Sequence, residues 1–261
     1  MHSLKSIYNI LEKPDKAFLE KVRTKAAKAI TDFNMIADGD RILVALSGGK
    51  DSAALLDILH NRKKSLGINY ELAAAFIDLS DVPYSVNRER LTVFTAERNI
   101  PLYIIDDDTE VVTGEKHPCY FCARTRRRLL FDFAVKNGFN KLAFGHNRDD
   151  LVETFLMNVI YHSELSAFPV KLSMFDNRLD IIRPLIYIGN KEADRYVKLL
   201  GFEPAAYNCP FAEGNDREKF RKLLGDLYDF HPNVADNIMK SFNNIRPEYL
   251  PILKQVAKDN E

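Results

Sequence analysis

The segment from Ser47 to Ser52, SGGKDS, directly follows the apolar run RILVAL and has the residue types that a phosphate site needs. Its two glycines let backbone N–H groups approach an anion, and a helix that begins near Asp51 would point its positive end at it. Lys50 adds a mobile positive charge, and the two serines add hydroxyl donors. The segment predicts a phosphate-binding loop; the alternative is a tight turn with a solvated lysine.

The loop does not match the commonest phosphate loop, the Walker sequence G-x-x-x-x-G-K-[ST]. Val44 stands where that sequence has its first glycine, and Asp51 replaces the magnesium-binding Ser or Thr. A strand, SGGKDS and a helix instead resemble the PP-loop of the ATP pyrophosphatases. This resemblance implies that ATP is cleaved between its α and β phosphates, and that Asp51 helps to hold magnesium on the leaving pyrophosphate.

The cysteines are the second group of residues that could do chemistry. Cys119 and Cys122 form a C-x-x-C pair in HPCYFC, predicted to be a loop just before a helix, and Cys209 stands alone in YNCPF. The pair could be half of a zinc site with His117, a thioredoxin-like redox pair or two incidental thiols. Three thiolates without an obvious fourth also suit a [4Fe–4S] cluster whose fourth iron stays open to an outside ligand.

Arginines cluster directly after the C-x-x-C pair, in the segment RTRRR at residues 124–128. They lie on a predicted helix that turns Leu129, Leu130 and Phe133 toward a core. The arginines could form a solvated helix face, or they could hold RNA phosphates or the negative charge of a cluster.

An acidic pair, Asp149 and Asp150, ends the segment GHNRDD after a predicted strand. At the start of a helix these residues could be simple caps or polar residues of a site. In the same segment Gly145 would allow a close backbone approach to ATP. His146 could be a polar site residue or a packed one.

Alternating strands and helices must position these residues. The predicted strands are 41–46, 71–78, 101–106, 141–146 and 179–185; the predicted helices fall near 17–36, 51–65, 84–98, 123–137, 149–162, 189–200, 216–228, 231–243 and 247–257. Short apolar strands between helices predict an α/β fold with a doubly wound parallel sheet and a small C-terminal helical appendage. Ligands of such sheets sit beyond the carboxyl ends of the strands, where the unusual segments lie. The sequence therefore predicts a single site.

The overall composition limits the class of protein. A hydrophobic content of 46% can fill a sizeable core, and 37 basic residues balance 37 acidic ones, so any nucleic-acid contact would have to be local. The sequence shows neither a signal peptide nor a run of membrane-spanning length, and an odd number of cysteines favours a reducing cytoplasm. We expect an N-terminal helical segment (1–36), an ATP-binding domain (37–202) and a helical extension that carries the third cysteine (203–261).

Taken together, these motifs resemble the tRNA 2-thiocytidine synthetase family (TtcA), PP-loop enzymes that thiolate a cytidine in the tRNA anticodon loop. The resemblance runs over most of the chain and includes AKAITDFNMIADGDRILVALSGGKDS, PCYFCARTRRRLL, KLAFGHNRDDLVETFLMN, FPVKLSMFDNRLDIIRPLIY and NIRPEYL. The chain departs from the family in a short, mildly acidic tail and in two motifs. It has GHNRDD where GHHRDD is usual, and only Cys209 where the family has a second C-x-x-C-like segment.

The resemblance implies a set of site residues. The phosphates of ATP would meet Ser47, Gly48, Gly49, Lys50, Asp51 and Ser52, and its adenosine would meet the backbone around Ala45 and Ile77, with Gly145 nearby. Cys119, Cys122 and Cys209 would bind the cluster. Lys50, Asp51, Asp149 and Asp150 would be the catalytic residues, the two last as magnesium ligands or a base.

The implied reaction is adenylation of the C2 oxygen of cytidine 32 in tRNA with release of pyrophosphate, followed by replacement of that oxygen with sulfur. It implies ATP, Mg²⁺ and a [4Fe–4S] cluster as cofactors, a cysteine desulfurase as the sulfur source and, as in many relatives, a homodimer. Alternatives stay open: a 2-thiouridine product or another acceptor, a persulfide on a cysteine without a cluster, and a non-catalytic nucleotide-binding iron–sulfur sensor.

Overall fold

Apolar strands alternate with amphipathic helices along the chain. The computed structural model describes residues 11–63, 67–82, 86–109, 118–205 and 216–251. Its strands are β1 (Arg41–Ala45), β2 (Glu71–Leu79), β3 (Leu102–Asp107), β4 (Lys141–Ala143), β5 (Lys171–Met174) and β6 (Leu179–Ile182). Its helices are α1 (Lys13–Asp32), α2 (Lys50–Arg62), α3 (Arg88–Ala96), α4 (Pro118–Lys136), α5 (Arg148–Met157), α6 (Asn190–Leu199), α7 (Asp216–Phe230) and α8 (Val234–Ser241). A π-helical turn, Asn158–His162, extends α5, and a 3-10 turn spans Pro247–Tyr249.

The strands form one sheet in the order β3-β2-β1-β4-β6-β5. Strand β1 pairs in parallel with β2 on one side and with β4 on the other. The chain therefore winds outward from β1 in both directions, and the strand order reverses at the carboxyl ends of β1 and β4. SGGKDS follows β1 and GHNRDD follows β4, so both motifs meet at this point. The doubly wound α/β fold predicted from the sequence is confirmed.

One edge of the sheet differs from the prediction. Strand β5 is absent from the predicted elements and pairs antiparallel with β6. The turn between them has no glycine: Phe175, Asp176 and Asn177 have φ angles of 54°, 55° and 64°. Asp and Asn adopt this left-handed conformation more readily than most residues, whereas it is unusual for Phe. Without a glycine signal, the hairpin could not be found from the sequence.

The environment of the C-x-x-C pair also differs from the prediction. Helix α4 begins at Pro118 and not at residue 123, so the prediction that the pair lies in a loop is wrong. Proline is favoured in the first turn of a helix because its missing N–H has no intrahelical partner there. Cys119 and Cys122 lie in this first turn, three residues apart, and therefore on one side of the helix. His117 and Cys209 lie outside the described residues.

Each face of the sheet has its own hydrophobic core, because successive residues of a strand point to opposite faces. Phe76 of β2 belongs to a large core that includes residues of α1, α2, α3 and α6. The next residue, Ile77, packs on the other face with Leu130 and Ala134 of α4. Helix α4 thus covers the face of the sheet on which the Ile77 side chain lies.

A buried charged network ties the helices of the larger core together. The carboxylate of Asp57 on α2 accepts hydrogen bonds from Arg98 Nε at 3.0 Å and from the Tyr196 hydroxyl at 2.7 Å. Arg23 of α1 and Asn61 of α2 complete its shell at 3.3 and 3.0 Å. The Arg98 side chain is fully buried. This network fixes α1, α2 and α6 relative to one another and was not predicted from the sequence.

The terminal helices pack on the same core as the sheet. Leu19 of α1, Leu224 of α7 and Ala235 of α8 are all buried in it. The division of the chain at residues 36 and 202 stays a prediction. Among the described residues, no helix combines the length and apolar character that crossing a membrane requires.

The buried network leads to a stability prediction. Replacement of Asp57 by Ala leaves the fully buried Arg98 guanidinium without its carboxylate, so we expect the free energy of unfolding to fall by roughly 3–5 kcal/mol. The matched control is Asp194→Ala, which removes an exposed pair with Lys198 on α6 and should cost less than about 1 kcal/mol. Urea unfolding monitored by circular dichroism measures both values. Equal losses in the two variants would contradict the assignment.

Candidate active site

The SGGKDS loop turns sharply between β1 and α2 and is closed by its own hydroxyl groups. Ser52 Oγ donates to Gly49 O at 2.9 Å and accepts from Ser47 N at 3.1 Å. Ser52 is therefore a buried residue that closes the turn, whereas Ser47 is exposed. Helix α2 begins at Lys50, so its amino-terminal N–H groups and their partial positive charge face the loop. This geometry suits an anion.

Glycines allow the close backbone approaches on which the site depends. Gly48 has a φ angle of 84°, and a Cβ atom there would lie 2.6 Å from Val86 Cγ1. A Cβ atom on Gly145 would lie 2.9 Å from the backbone of Asp51 and Ser52. The sequence predicts that Gly145 allows backbone to approach ATP. The structure shows that Gly145 brings the segment after β4 against the first turn of α2.

Asn147 joins the two motifs. Its side chain is fully buried, and its Oδ1 accepts hydrogen bonds from the N–H groups of Asp149 and Asp150, which caps α5. Its Nδ2 donates to Asp51 Oδ1 at 3.1 Å and to Asn190 Oδ1 at 2.9 Å. One amide therefore positions the first turns of α2, α5 and α6. In the sequence this residue was noted only as a departure from GHHRDD.

The two acidic residues of GHNRDD have different surroundings. Asp149 is buried: Oδ1 accepts from the Tyr228 hydroxyl at 2.8 Å, and Oδ2 accepts from Asn190 N at 2.8 Å. Asp150 Oδ2 accepts from Asn147 N, Oδ1 lies 3.8 Å from Arg217 Nη2, and the residue lines a cavity. Asp149 thus holds α6 and α7 in place, whereas Asp150 faces the space where a substrate would lie.

A first cavity of about 440 Å³ opens where β1 and β4 end. The predicted site residues that line it are Ala45, Ser47, Asp51, Ser52, Ile77, Gly145 and Asp150. Its floor is apolar on the β1 and β2 side, and Asp51 and Ser52 of α2 and Asp150 of α5 line another side. The structure therefore brings together most residues predicted for ATP. Gly48 and Gly49 form the adjoining turn.

Lys50 and Asp149 line a second cavity, of about 690 Å³, on the other side of the Asp51 side chain. Lys50 Nζ donates to Asp51 Oδ2 at 2.6 Å and to Asn190 Oδ1 at 3.0 Å. Asp51 and Asp150 border both cavities. The pKa of Asp51 is raised above its ordinary value, because the effect of burial is larger than the opposing effect of the neighbouring Lys50. The Lys50–Asp51 pair thus forms the wall between the two spaces.

Glu153, one turn after Asp149 on α5, lines the second cavity and was not predicted from the sequence. It is 1% exposed, and neither carboxylate oxygen has a hydrogen-bond partner in the described part of the chain. Arg221 Nε lies 3.7 Å from Oε1. Burial, reinforced by the negative charge of Asp150, raises the pKa of Glu153 to about 7. Glu153 therefore takes up a proton near neutral pH.

Arginines from two helices and a histidine after β4 also line the first cavity. Arg126 and Arg127 of α4 and Arg217 of α7 line it, with His146 after β4. Burial and the nearby guanidinium groups lower the pKa of His146 to about 3, so the imidazole stays uncharged. RTRRR pointed to Arg126 and Arg127. No sequence signal pointed to Arg217, because only the fold brings α7 to this place.

The described cysteines lie one turn before the arginines on α4. Cys119 is exposed and Cys122 is partly buried, on a helix whose following turns line the first cavity. Two accessible thiols on one side of a helix are a donor set that suits an iron–sulfur cluster as well as zinc. The residues present therefore fit two ligands of the predicted cluster. The third, Cys209, lies outside the described residues.

The carboxylates of the first cavity also suit magnesium. Among the described residues, no group of three or more His, Cys, Asp or Glu side chains is arranged to hold a metal ion. Magnesium usually takes one or two carboxylates and completes its shell with waters and substrate phosphates. Asp51 and Asp150 meet that requirement once a nucleotide supplies the phosphates.

Comparison with known proteins identifies the fold and the family. A family model described as a PP-loop domain matches residues 18–205. The U34-tRNA thiolase NcsA from Methanococcus maripaludis, solved with its [4Fe-4S] cluster, has the same fold: the TM-score is 0.73, with 22% identity, 88% of this chain and 79% of that chain covered. Fold and site thus define a protein of the ATP-binding PP-loop class.

Curated relatives identify the family within the PP-loop class. The tRNA-cytidine(32) 2-sulfurtransferase of Bdellovibrio bacteriovorus is 36% identical over 235 residues, which cover 88% of this chain and 90% of that protein. The enzyme of the same name from Vibrio parahaemolyticus is 38% identical over 237 residues, which cover 88% and 79%. This chain belongs to the tRNA-cytidine(32) 2-sulfurtransferase family of PP-loop proteins.

The role of Asn147 can be tested against a second capping asparagine. Asn147→Ala removes the cap of α5 and leaves the side chains of Asp51 and Asn190 without their hydrogen-bond donor. Because Asp51 is then no longer held in place, we expect ATP binding to weaken by about tenfold or more. Asn87 also caps a helix, α3, by accepting a hydrogen bond from Arg90 N; its side chain is exposed, and it is Asn147 and not Asn87 that bonds Asp51. Asn87→Ala should cost a similar cap energy of roughly 1 kcal/mol with unchanged ATP affinity. Calorimetric titration with ATP checks both; equal affinities would contradict the role of Asn147.

The raised pKa of Glu153 predicts a pH dependence of stability. The folded protein binds a proton at Glu153 up to a pKa of about 7, whereas the unfolded chain releases it near 4.5. The folded state therefore binds more protons between these values, and its stability falls as pH rises from 5 to 8. We expect Glu153→Gln to remove this part of the pH dependence in denaturant titrations. The exposed Glu71→Gln variant is the control; a wild-type pH profile in Glu153→Gln would refute the assignment.

Proposed function

We propose that this chain is an ATP-dependent tRNA thiolation enzyme. It adenylates the C2 oxygen of the cytidine at position 32 of tRNA, releases pyrophosphate and replaces that oxygen with sulfur. The observation that carries this proposal is the joining of SGGKDS and GHNRDD around one cavity, in a chain of the tRNA-cytidine(32) 2-sulfurtransferase family.

ATP is proposed to lie across the first cavity. Its adenosine packs on the apolar floor near Ala45 and Ile77, and its phosphates reach the SGGKDS loop. There the amino-terminal N–H groups of α2 donate to the β and γ phosphates. Asp51 and Asp150, which both border the first cavity and act on each other electrostatically, would hold Mg²⁺, whose charge would offset that of the phosphates. This placement leaves the α phosphate open toward the β4 side, where the acceptor enters.

Replacement of the C2 oxygen by sulfur needs prior adenylation, because the pyrimidine oxygen by itself leaves poorly. The C2 oxygen attacks the α phosphorus, the bond to the bridging oxygen breaks, and pyrophosphate leaves. Lys50 and the loop amides stabilise the charge that develops on the pyrophosphate. Sulfide then adds to C2, and AMP leaves with the former C2 oxygen. Asp149, both of whose oxygens are bonded to protein groups, acts by holding α6 and α7.

The proposed cluster ligands are Cys119, Cys122 and Cys209. A [4Fe–4S] cluster at these residues would supply an iron with an open position, at which sulfide is held deprotonated and close to the acceptor. Helix α4 carries the described cysteines and also lines the first cavity, so its first turns connect the thiols with the nucleotide site. We further propose a cysteine desulfurase as the sulfur source, a cytoplasmic location and a homodimer.

The proposal predicts that pyrophosphate release depends on tRNA and that the product nucleoside is 2-thiocytidine. The anaerobically purified full chain is incubated with ATP, Mg²⁺, sulfide and tRNA, and digested nucleosides are identified by mass spectrometry. Asp51→Asn should slow pyrophosphate release by on the order of 10²-fold, the usual cost of losing one electrostatic stabiliser. The exposed Asp194→Asn variant should not.

Other outcomes select the alternatives. A tRNA with uridine at position 32 that gives 2-thiouridine at the same rate would assign a different acceptor. Nucleotide binding without pyrophosphate release would indicate a sensor. Full activity in an iron-free, colourless protein would support persulfide chemistry and overturn the cluster assignment.

A further inference from the structure

Positive charge is concentrated around His146. The guanidinium groups of Arg127, Arg183 and Arg217 all act on the imidazole electrostatically and lower its pKa. They come from three separate elements: α4, the segment after β6, and α7. Arg127 and Arg217 line the first cavity itself. The fold therefore brings together three arginines, of which only Arg127 belongs to the RTRRR segment.

This charge is poorly balanced by the protein. Within the described ranges, no carboxylate forms an ion pair with Arg127 or Arg183, and Arg217 has only Asp150 at 3.8 Å. The Nε of Arg183 is buried without a hydrogen-bond partner in the described residues. Burial and the charge of Arg127 lower the pKa of Arg183 to about 10. The group is therefore held against mutual repulsion, which a bound anion would relieve.

The neighbouring Arg128, on the same helix, lies near a carboxylate and outside the cavity. Its positive charge lies close enough to Asp107 at the end of β3 to help lower the pKa of that carboxyl. Arg128 is not among the residues that line the first cavity. Two consecutive arginines thus face different surroundings, and only Arg127 belongs to the unbalanced group.

Two anions could supply the missing charge: a phosphate of ATP or a phosphodiester of RNA. The SGGKDS loop and α2 already surround a phosphate site after β1. Arg183 follows β6, which is two strands away from β1, or about 10 Å at the usual strand spacing. Arg127 is exposed on α4, and Arg217 is half exposed. Arg183 therefore lies toward the β4–β6 side, and the exposure of Arg127 and Arg217 leaves the group open to a large ligand.

We propose that Arg127, Arg183 and Arg217 form a subsite for the RNA phosphodiester next to the acceptor nucleotide. The inference rests on the proposed function and adds the residues that seat the RNA. Phosphate contacts fix the position of a nucleic acid without reading its sequence. Anchored there, the acceptor base enters the first cavity beside the uncharged His146. A chain of zero net charge can still bind RNA in this way, because the positive charge that meets the phosphodiester is local.

Salt dependence of tRNA binding tests this subsite. Each phosphate contact contributes about one unit to the slope of log K against log salt concentration. Arg127→Gln and Arg217→Gln should each reduce the slope by about 1 and weaken binding several-fold, whatever the tRNA sequence. Arg127→Lys keeps the charge and should restore the wild-type slope. Arg128→Gln, on the same helix outside the cavity, is the matched control.

The affinity for ATP separates the two anions. We expect Arg127→Gln to bind ATP as the wild type does, which also shows that it is folded; Arg217, beside Asp150, is tested by its salt slope alone. Loss of ATP affinity with an unchanged salt slope for tRNA would assign the arginines to ATP and overturn the subsite. If the wild type thiolates tRNA but the variants keep the wild-type salt slope for tRNA binding, the subsite is refuted and the proposed function stands. A wild-type protein that neither binds nor thiolates tRNA would refute both.

Discussion

The site depends on one buried amide. Asn147 has no solvent exposure, and its oxygen and nitrogen are both fully used: the oxygen caps α5, and the nitrogen binds Asp51 and Asn190. Three helix amino termini therefore meet at a fixed distance from each other. Their partial positive charges point toward the same space, and such a place favours anions over any other ligand. A phosphate-binding function follows from this convergence before any catalytic residue is considered.

The rest of the structure keeps this convergence in place. On one side Gly145 lets the segment after β4 touch the backbone of α2, where a side chain would separate them. On the other side Arg148 bonds Asp236 at 2.7 Å and the Tyr228 hydroxyl at 3.1 Å, which fastens α7 and α8 to α5. The C-terminal helices are thus part of the site. They supply Arg217 to the first cavity and Arg221 to the second.

Sequence reasoning succeeded where chemistry and topology coincide. SGGKDS and GHNRDD each follow a short apolar strand, and parallel strands bring such segments to one edge, so their meeting could be predicted. It failed where a residue acts through distant partners. Asp57, Arg98 and Tyr196 are scattered polar residues in the sequence, and only the packed helices make them one network. Glu153, Arg217 and the role of Asn147 were missed for the same reason. Strand β5 escaped detection because its turn uses Asp and Asn in place of glycine.

The central claim is that the convergent edge binds ATP for cleavage between the α and β phosphates. The most direct measurement is a crystal structure of the full chain with Mg²⁺ and an ATP analogue that carries a methylene group between those phosphates. The account predicts adenosine against Ala45 and Ile77, β and γ phosphates at the α2 terminus, and Mg²⁺ between Asp51 and Asp150. A nucleotide bound in the second cavity, or phosphates turned away from SGGKDS, would contradict it.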